Sequence, residues 1–494
     1  MPIRALREIP IYCDWPFAAL AGSSVAIDGF WFIRKYFAPL TQEDLLLNLE
    51  AYVDKNMSDF FQLAKNIDFV WIWDGLKYRI DPIDHNETFK RDVHLLITKK
   101  KLKLGKSEEF LEILVNPINI MLKKHNVAMC RAPYGAIAQC SYFYKSKTVN
   151  YIFTKNDAFI FKDVDTIITE FDFVEKKYCL MHKEELEKIL GVKRGLFKFF
   201  AIASGCEFCP TFPDIADNFT VEKFNNYLLE KNNFEENYKD INILEKIIKK
   251  NKNYYKTYID AISNCKWHPV MTLQGTVEPF ESAYVLKNLS NIFGEKLPHN
   301  YYERLFVCDI IPFEVDKITA NPRVIDQTPC DQLLSAIKMI VRDGNSKKYD
   351  QKYFINIVKE ILSLNYIHCK SQDKIFELIF VHFINNKTTV NFIHTNTLKN
   401  CIAGKNSHNN VSIEDQLTED NVIVAFKIRK YIGLLKLLYA TIVDYNCTNK
   451  SIDSFYLHEF SFKNCCKPTY LVHFNEFIKT NNMVNLDIFN KLNI

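Results

Sequence analysis

The sequence predicts an α/β fold: a parallel sheet covered by helices in the first part of the chain, passing from about residue 180 into mostly helical structure. Three observations predict it. Short apolar runs rich in β-branched and aromatic residues recur at 23–32, 68–75 and 148–161, and such runs favour strands. Helical patterns lie between them, and strands that alternate with helices close into a parallel sheet buried on both faces. The 494 residues are 48% apolar with 13 glycines, enough to bury two or three cores and too few glycines for long flexible linkers.

The elements follow in order. SSVAIDGFWF (23–32) is the first strand. A helix is expected over 41–66, where Thr41 suits the N-cap and Asp44 stands three residues on. DFVWIWDG (68–75) is the second strand, RAPYGAIAQC (131–140) has the rhythm of a strand turning into a helix, and TVNYIFTKNDAFIF (148–161) is a third strand. EELEKILG ends a helix on Gly191, a good C-cap. Residues 219–258 form a charged helical stretch, 267–280 a short strand or loop excursion, and 297–318 a further helical unit. Residues 341–352 and 406–421 are polar connectors. The most apolar long run, 422–443, is interrupted by Lys427, Arg429, Lys430 and Lys436, so it is expected to be an amphipathic or buried helix and not a membrane span.

Composition bounds the chemistry. A net charge of +4 is small for this length and does not by itself call for nucleic acid. The 14 cysteines show no regular framework and MPIRALREIP lacks the apolar core of a signal peptide, which predicts reduced thiols in the cytosol or nucleus. Cys206 and Cys209 form a CxxC, but neither His182 nor Cys465 and Cys466 make a second half for zinc, so buried free thiols are expected. Lys99, Lys100, Lys101, Lys103 and Lys106 form a basic run that could meet RNA phosphates, or simply face solvent. Lys246, Lys249, Lys250, Lys252 and Lys256 with Tyr254, Tyr255 and Tyr258 could stack RNA bases or pack as a helix. Trp267 and His268 read as structural. There is no Gly-rich phosphate loop, HExxH or GxSxG.

Asp28 and Asp74 each end an apolar strand and precede a glycine. The carboxyl ends of parallel strands gather on one edge, where ligands bind, so two such acids could converge on a metal; the plain alternative is a pair of helix caps or turn aspartates. The order VAID, WIWDG, RAPYGAIAQ, IFTKNDAFIF, ASGCEFC resembles the XPG and flap-endonuclease superfamily. That resemblance implies a PIN-like core and Mg²⁺-dependent phosphodiester hydrolysis by carboxylates holding a pair of ions. The family's APxEAEAQ is here APYGAIAQ, with Gly135 and Ile137 in place of glutamates. Its TEDxD strand end is TKNDAF, which puts Lys155 where the first acid belongs and Asp157 at the second; a gap-free count would leave Asp157 off register. Its GSD turn is GCE, which brings Glu207. Four acids at most remain by this resemblance: Asp28, Asp74, Asp157 and Glu207. DVDTIITEFDF (163–173) offers Asp163, Glu170 and Asp172 as a competing match, but it lies one strand too far along the chain. The glycines of the family's helix-hairpin-helix are missing from CPTFPDIADNFTVEKF.

These departures resemble the Mkt (maintenance of killer toxin) proteins, catalytically silent relatives of the XPG nucleases. The likeness runs through APYGAIAQCSYFYKSKTVNYIFTKNDAFIF, DFVEKKYCLMHKEELEKILG and GCEFCPT, then YIDAISNCKWHPVMTLQGTVEPF and EKLPHNYYERLFVCDIIPFEVDKI. It implies an inactive nuclease-like domain over 1–235, an Mkt-type middle domain over 236–345 and a helical C-terminal domain over 346–494. It also implies post-transcriptional regulation of mRNA in the cytoplasm, with an ataxin-type partner that binds poly(A)-binding protein, on messenger ribonucleoprotein and polysomes. No cofactor and no membrane are expected. The alternative is an active Mg²⁺-dependent structure-specific endonuclease; a third reading is a module that binds RNA directly.

Overall fold

The computed structural model describes residues 3–6 and 14–308, apart from 48, 79–84, 106–107, 193–194, 218, 232–240, 282–288 and 295–298, together with residues 312 and 419. Apart from residue 419, the expected connectors, the helix at 422–443, the domain at 346–494, Lys106, Cys465 and Cys466 lie outside the described residues.

The strands are β1 (Trp15–Pro16), β2 (Ser24–Asp28), β3 (Leu40–Thr41), β4 (Asp68–Trp73), β5 (Lys101–Leu102), β6 (Ala128–Arg131), β7 (Tyr151–Phe153), β8 (Thr166–Asp172), β9 (Lys177–His182), β10 (Pro269–Met271) and β11 (Val277–Pro279). The helices are α1 (Gly29–Tyr36), α2 (Gln42–Leu47), α3 (Leu49–Leu63), α4 (His85–Lys99), α5 (Glu108–Lys124), α6 (Ala136–Lys145), α7 (Lys183–Leu190), α8 (Phe197–Ser204), α9 (Val221–Lys231), α10 (Ile241–Ile248), α11 (Lys252–Trp267), α12 (Ser290–Phe293) and α13 (His299–Phe306).

The chain divides into two compact units. The first comprises Met1–Phe37, Asp54–Pro82 and Ile118–Cys308. It holds a seven-stranded sheet of order β1-β9-β8-β7-β2-β4-β6. β8, β7, β2, β4 and β6 run parallel, and β9 and then β1 add antiparallel at one edge. This is the α/β fold that the alternating pattern predicts. Its buried strands are apolar on both faces, as with Val25, Ala26 and Ile27 of β2 and Trp71, Ile72 and Trp73 of β4. The second unit comprises Ala38–Val53, Ile83–Pro117 and Asp309–Ile494, and pairs β3 with β5.

Local chemistry sets the boundaries. The run 23–32 leaves the sheet at Asp28, whose carboxylate accepts from the Trp31 N–H at 3.0 Å and starts α1, so Gly29 to Phe32 are helical and not extended as expected. Gly29 has no room for a side chain: a Cβ there would meet Trp71 Nε1 at 2.2 Å. Thr41 and Asp44 cap α2 reciprocally, with Asp44 N–H to Thr41 Oγ1 at 3.0 Å and Thr41 N–H to Asp44 Oδ2 at 2.9 Å. The expected single helix over 41–66 is two, α2 and α3. Gly191, at φ 61°, closes α7 as expected. The third predicted strand is shorter than its sequence suggests: β7 stops at Phe153 and a 3₁₀ turn occupies Asn156–Ile160. The Asn156 side chain accepts from the Ile3 N–H at 2.9 Å, a tie that a continuing ladder would not allow. Sequence reasoning missed the β8–β9 hairpin. Among the described residues no helix is long and apolar enough to cross a membrane.

Candidate functional site

In sequence the strands step outward from β2 to β4 to β6, and the chain then returns to place β7 on the other side of β2. Between β2 and β7 the direction of winding reverses, and in open α/β sheets the crevice at the carboxyl ends of such a pair is where ligands bind. Asp28 is the last residue of β2, Asp74 follows β4, Gly135 precedes α6 after β6, and Lys155 follows β7. Four neighbouring strand ends therefore deliver these residues to one edge.

Asp28 is 2% exposed. Its second oxygen accepts from Thr154 Oγ1 at 2.9 Å, a bond across the β2–β7 junction. Asp74 is half-buried and caps the first turn of α6, accepting from the Ala136 N–H at 2.7 Å, while Arg131 Nη1 donates to the Asp74 carbonyl at 2.9 Å. Lys155 is 7% exposed, and its Nζ donates to Glu207 Oε2 at 2.6 Å. Asp157 is fully buried; its Oδ1 accepts from the Glu207 N–H at 2.9 Å, and its Oδ2 has no hydrogen-bond partner.

These groups govern one another's charge. Burial raises the Asp28 carboxyl, opposed first by Lys155. Burial also raises Asp74, and the Asp28 carboxylate adds to the effect. Burial pushes Asp157 up to about 6, with Glu207 adding to the rise. Burial works against the Glu207 carboxylate too, yet Lys155 beside it draws it down to about 2. Burial alone would lower Lys155, but Glu207 and then Asp28 hold it above the usual lysine range. Lys155 and Glu207 are thus a charged pair at neutral pH. Lys155, Glu207 and Asp157 form one hydrogen-bonded cluster, to which Thr154 ties Asp28. Asp163, Glu170 and Asp172 do not join it: Glu170 pairs with Lys35 at 3.1 Å, Asp172 caps the β8–β9 turn, and Asp163 is exposed. The spacing argument against 163–173 therefore holds, because that segment is the next strand, β8.

Position 135 is closed from above. A Cβ on Gly135 would meet the Tyr78 hydroxyl at 2.2 Å and His268 Cε1 at 3.6 Å. Ile137 is 2% exposed and lies in the core. The Gly135 N–H donates to His268 Nε2 at 3.3 Å, so the histidine proton must sit on Nδ1, which donates to Asn264 Oδ1 at 2.8 Å. Burial lowers His268 to about 3, which keeps it neutral. Gln139 of α6 pairs with Met271 of β10 in both directions, Nε2 to the carbonyl at 2.9 Å and the Met271 N–H to Oε1 at 2.8 Å. Tyr78, Tyr134, Phe161, Phe208 and Phe293 surround the His268 ring with centroids 5.2–6.5 Å away. The structural reading of His268 holds. Sequence reasoning missed Tyr78, which carries no motif, and the bond from Thr154 of TKNDAF to Asp28; both meet the site only through the fold.

Other sequence candidates lie elsewhere. Lys99, Lys100, Lys101 and Lys103 are exposed, and the last two alternate with buried Leu102 and Leu104. Tyr254 and Tyr258 are buried, with hydroxyls bonded to Pro210 and Phe199 carbonyls at 3.1 and 3.4 Å, so they belong to the core and cannot stack bases. Cys206 and Cys209 are free and buried; burial raises both thiols, Cys209 to about 12. Among the described residues no three His, Cys, Asp or Glu side chains are grouped as a metal ion would need.

No family model and no curated protein matches the chain. Among solved structures it is similar to the catalytic core of Rad2 in complex with DNA substrate, at 17% identity over 50% of this chain and 76% of that one, with a TM-score of 0.32. It is similar to human GEN1 in complex with Holliday junction DNA at 14% identity, over 68% and 78% of the two chains, with a TM-score of 0.35. It is similar to flap endonuclease-1 from Methanococcus jannaschii at 17% identity, over 68% and 98%, also with a TM-score of 0.35.

Proposed function

We propose that the protein is a catalytically silent, nuclease-like scaffold of the XPG and flap-endonuclease type that acts in post-transcriptional regulation of mRNA through protein partners. One observation carries the silent half: the Lys155 ammonium stands inside the acid cluster, 2.6 Å from Glu207. Mg²⁺ takes oxygen ligands in near-octahedral order and keeps several waters. Gly135 and Ile137 offer no oxygen side chain, Tyr78 fills the space beside position 135, and the Lys155 ammonium against Glu207 repels a divalent cation. The donor set therefore does not fit a pair of divalent ions.

The resemblance of APYGAIAQ, GCEFCPT and the 267–280 segment to the Mkt proteins supports the mRNA half of this proposal, a role in the cytoplasm with an ataxin-type partner and messenger ribonucleoprotein. Affinity purification with mass spectrometry checks it. An ataxin-like protein in the eluate is the expected result; replication or repair factors would count against it. The exposed lysines Lys99, Lys100, Lys101 and Lys103 suit direct contact with RNA phosphates. RNA binding by the isolated protein should then weaken steeply with salt and fall on Lys→Glu changes there; binding unaffected by both would remove that contact. The strand-end acids Asp28 and Asp74, with the unbonded Oδ2 of buried Asp157, favour the second reading, an active Mg²⁺-dependent endonuclease, which a cleavage assay decides.

A further inference from the structure

Buried carboxylates need a compensating charge or enough hydrogen bonds. Asp28 has two donors, the Trp31 N–H and Thr154 Oγ1; Asp157 has one, and its Oδ2 lies fully buried with none. A cationic side chain at this site is Lys155, itself out of water at 7% exposure. Its backbone is extended, at φ −67° and ψ 156°, and caps the 3₁₀ turn after β7. From there its Nζ reaches Glu207 on the turn after α8 at 2.6 Å, while Thr154 beside it donates to Asp28 at the end of β2 at 2.9 Å. β2, the loop after β7 and the turn after α8 thus meet around one ammonium.

We propose that Lys155 is the resident cation of this cluster: its ammonium takes the place of any ion from solvent and ties β2, the loop after β7 and the turn after α8 into a permanent charge network. This rests on the silent reading of the same site, and it adds what holds the acids together in the absence of exchangeable metal. A lysine differs from a bound ion in being covalently fixed. The network therefore persists in a chelator, at any metal concentration.

The test uses the full chain. Wild-type protein should melt at the same temperature in EDTA and in millimolar MnCl₂, and should leave the spin-resonance signal of free Mn²⁺ undiminished. Lys155→Met removes the charge and keeps much of the length. It should melt several degrees lower in EDTA and recover part of that loss in MnCl₂, because an ion that binds only the folded state stabilises it by mass action. A wild-type midpoint that climbs with MnCl₂, or a quenched Mn²⁺ signal, would overturn the proposal, as would a Lys155→Met protein that melts like wild type. If that variant does not fold, the wild-type Mn²⁺ titration decides alone. Mn²⁺ binding without cleavage would defeat this inference and leave the silent reading standing; Mn²⁺ binding with cleavage would defeat both.

Discussion

A methyl group at position 135 would sit 2.2 Å from the Tyr78 hydroxyl, while the next ring atom, Cζ, is 3.5 Å away at ordinary contact. The obstacle is therefore one oxygen. Gly135→Ala should destabilise the protein by about 1–3 kcal/mol, the usual cost of overpacking. Tyr78→Phe should remove most of that cost, and denaturation of the two single variants and the double variant gives the coupling directly. A coupling near zero would contradict the geometry. The pair also marks the limit of sequence reading at this scale. Gly135 stands out at once as the wrong residue inside an otherwise legible motif. What now forbids a side chain there is a tyrosine far earlier in the chain, brought in by the fold after β4, and nothing local announces it. Asp28 and Asp74 were legible as strand ends because each closes an apolar run. Thr154, which ties Asp28 to the neighbouring strand, was not.

At the scale of elements, the start of α6 is held by β10 and the end of α11. Gln139 pairs with Met271 as a strand residue would, and His268 accepts from Gly135 while donating to Asn264. The histidine is fully buried and held near 3, against an ordinary 6.5. Below pH 6.5 the unfolded chain takes up a proton that the folded protein refuses, so this group's contribution to stability is present at neutral pH and is lost as pH falls from 6.5 toward 3. The stability difference between wild type and His268→Gln should therefore shrink as pH falls from about 7 to about 5, because the acids that titrate in the same range are common to both proteins and cancel. A difference that stays constant would mean that the histidine is protonated in the fold. The 267–280 excursion was legible as a short strand; its role as the anchor of α6 was not, since burial of WHPVM against RAPYGAIAQ joins segments far apart in sequence. The misread strand at 148–161 has a similar cause. Its residues are β-formers throughout, and the break after Phe153 comes from long-range bonds at Asn156 and Asp157.

For the whole molecule, the alternation of strands with helices was enough to give the parallel sheet, because burial on both faces writes itself as continuous apolar runs. The antiparallel edge of β8, β9 and β1 was less visible, since half-exposed strands dilute the apolar signal with Lys, Glu and Thr. The central claim concerns what the sheet edge now does. On the proposed reading, the Lys155 ammonium paired with Glu207 stands where a metal ion would, so that the edge offers a stable surface and no place for a hydrolytic metal pair. Cleavage of flap and RNA substrates by purified full-length protein in Mg²⁺ and in Mn²⁺ tests this most directly. The account predicts product no greater than in chelator. Robust cleavage that disappears in both Asp28→Ala and Asp74→Ala proteins would contradict it.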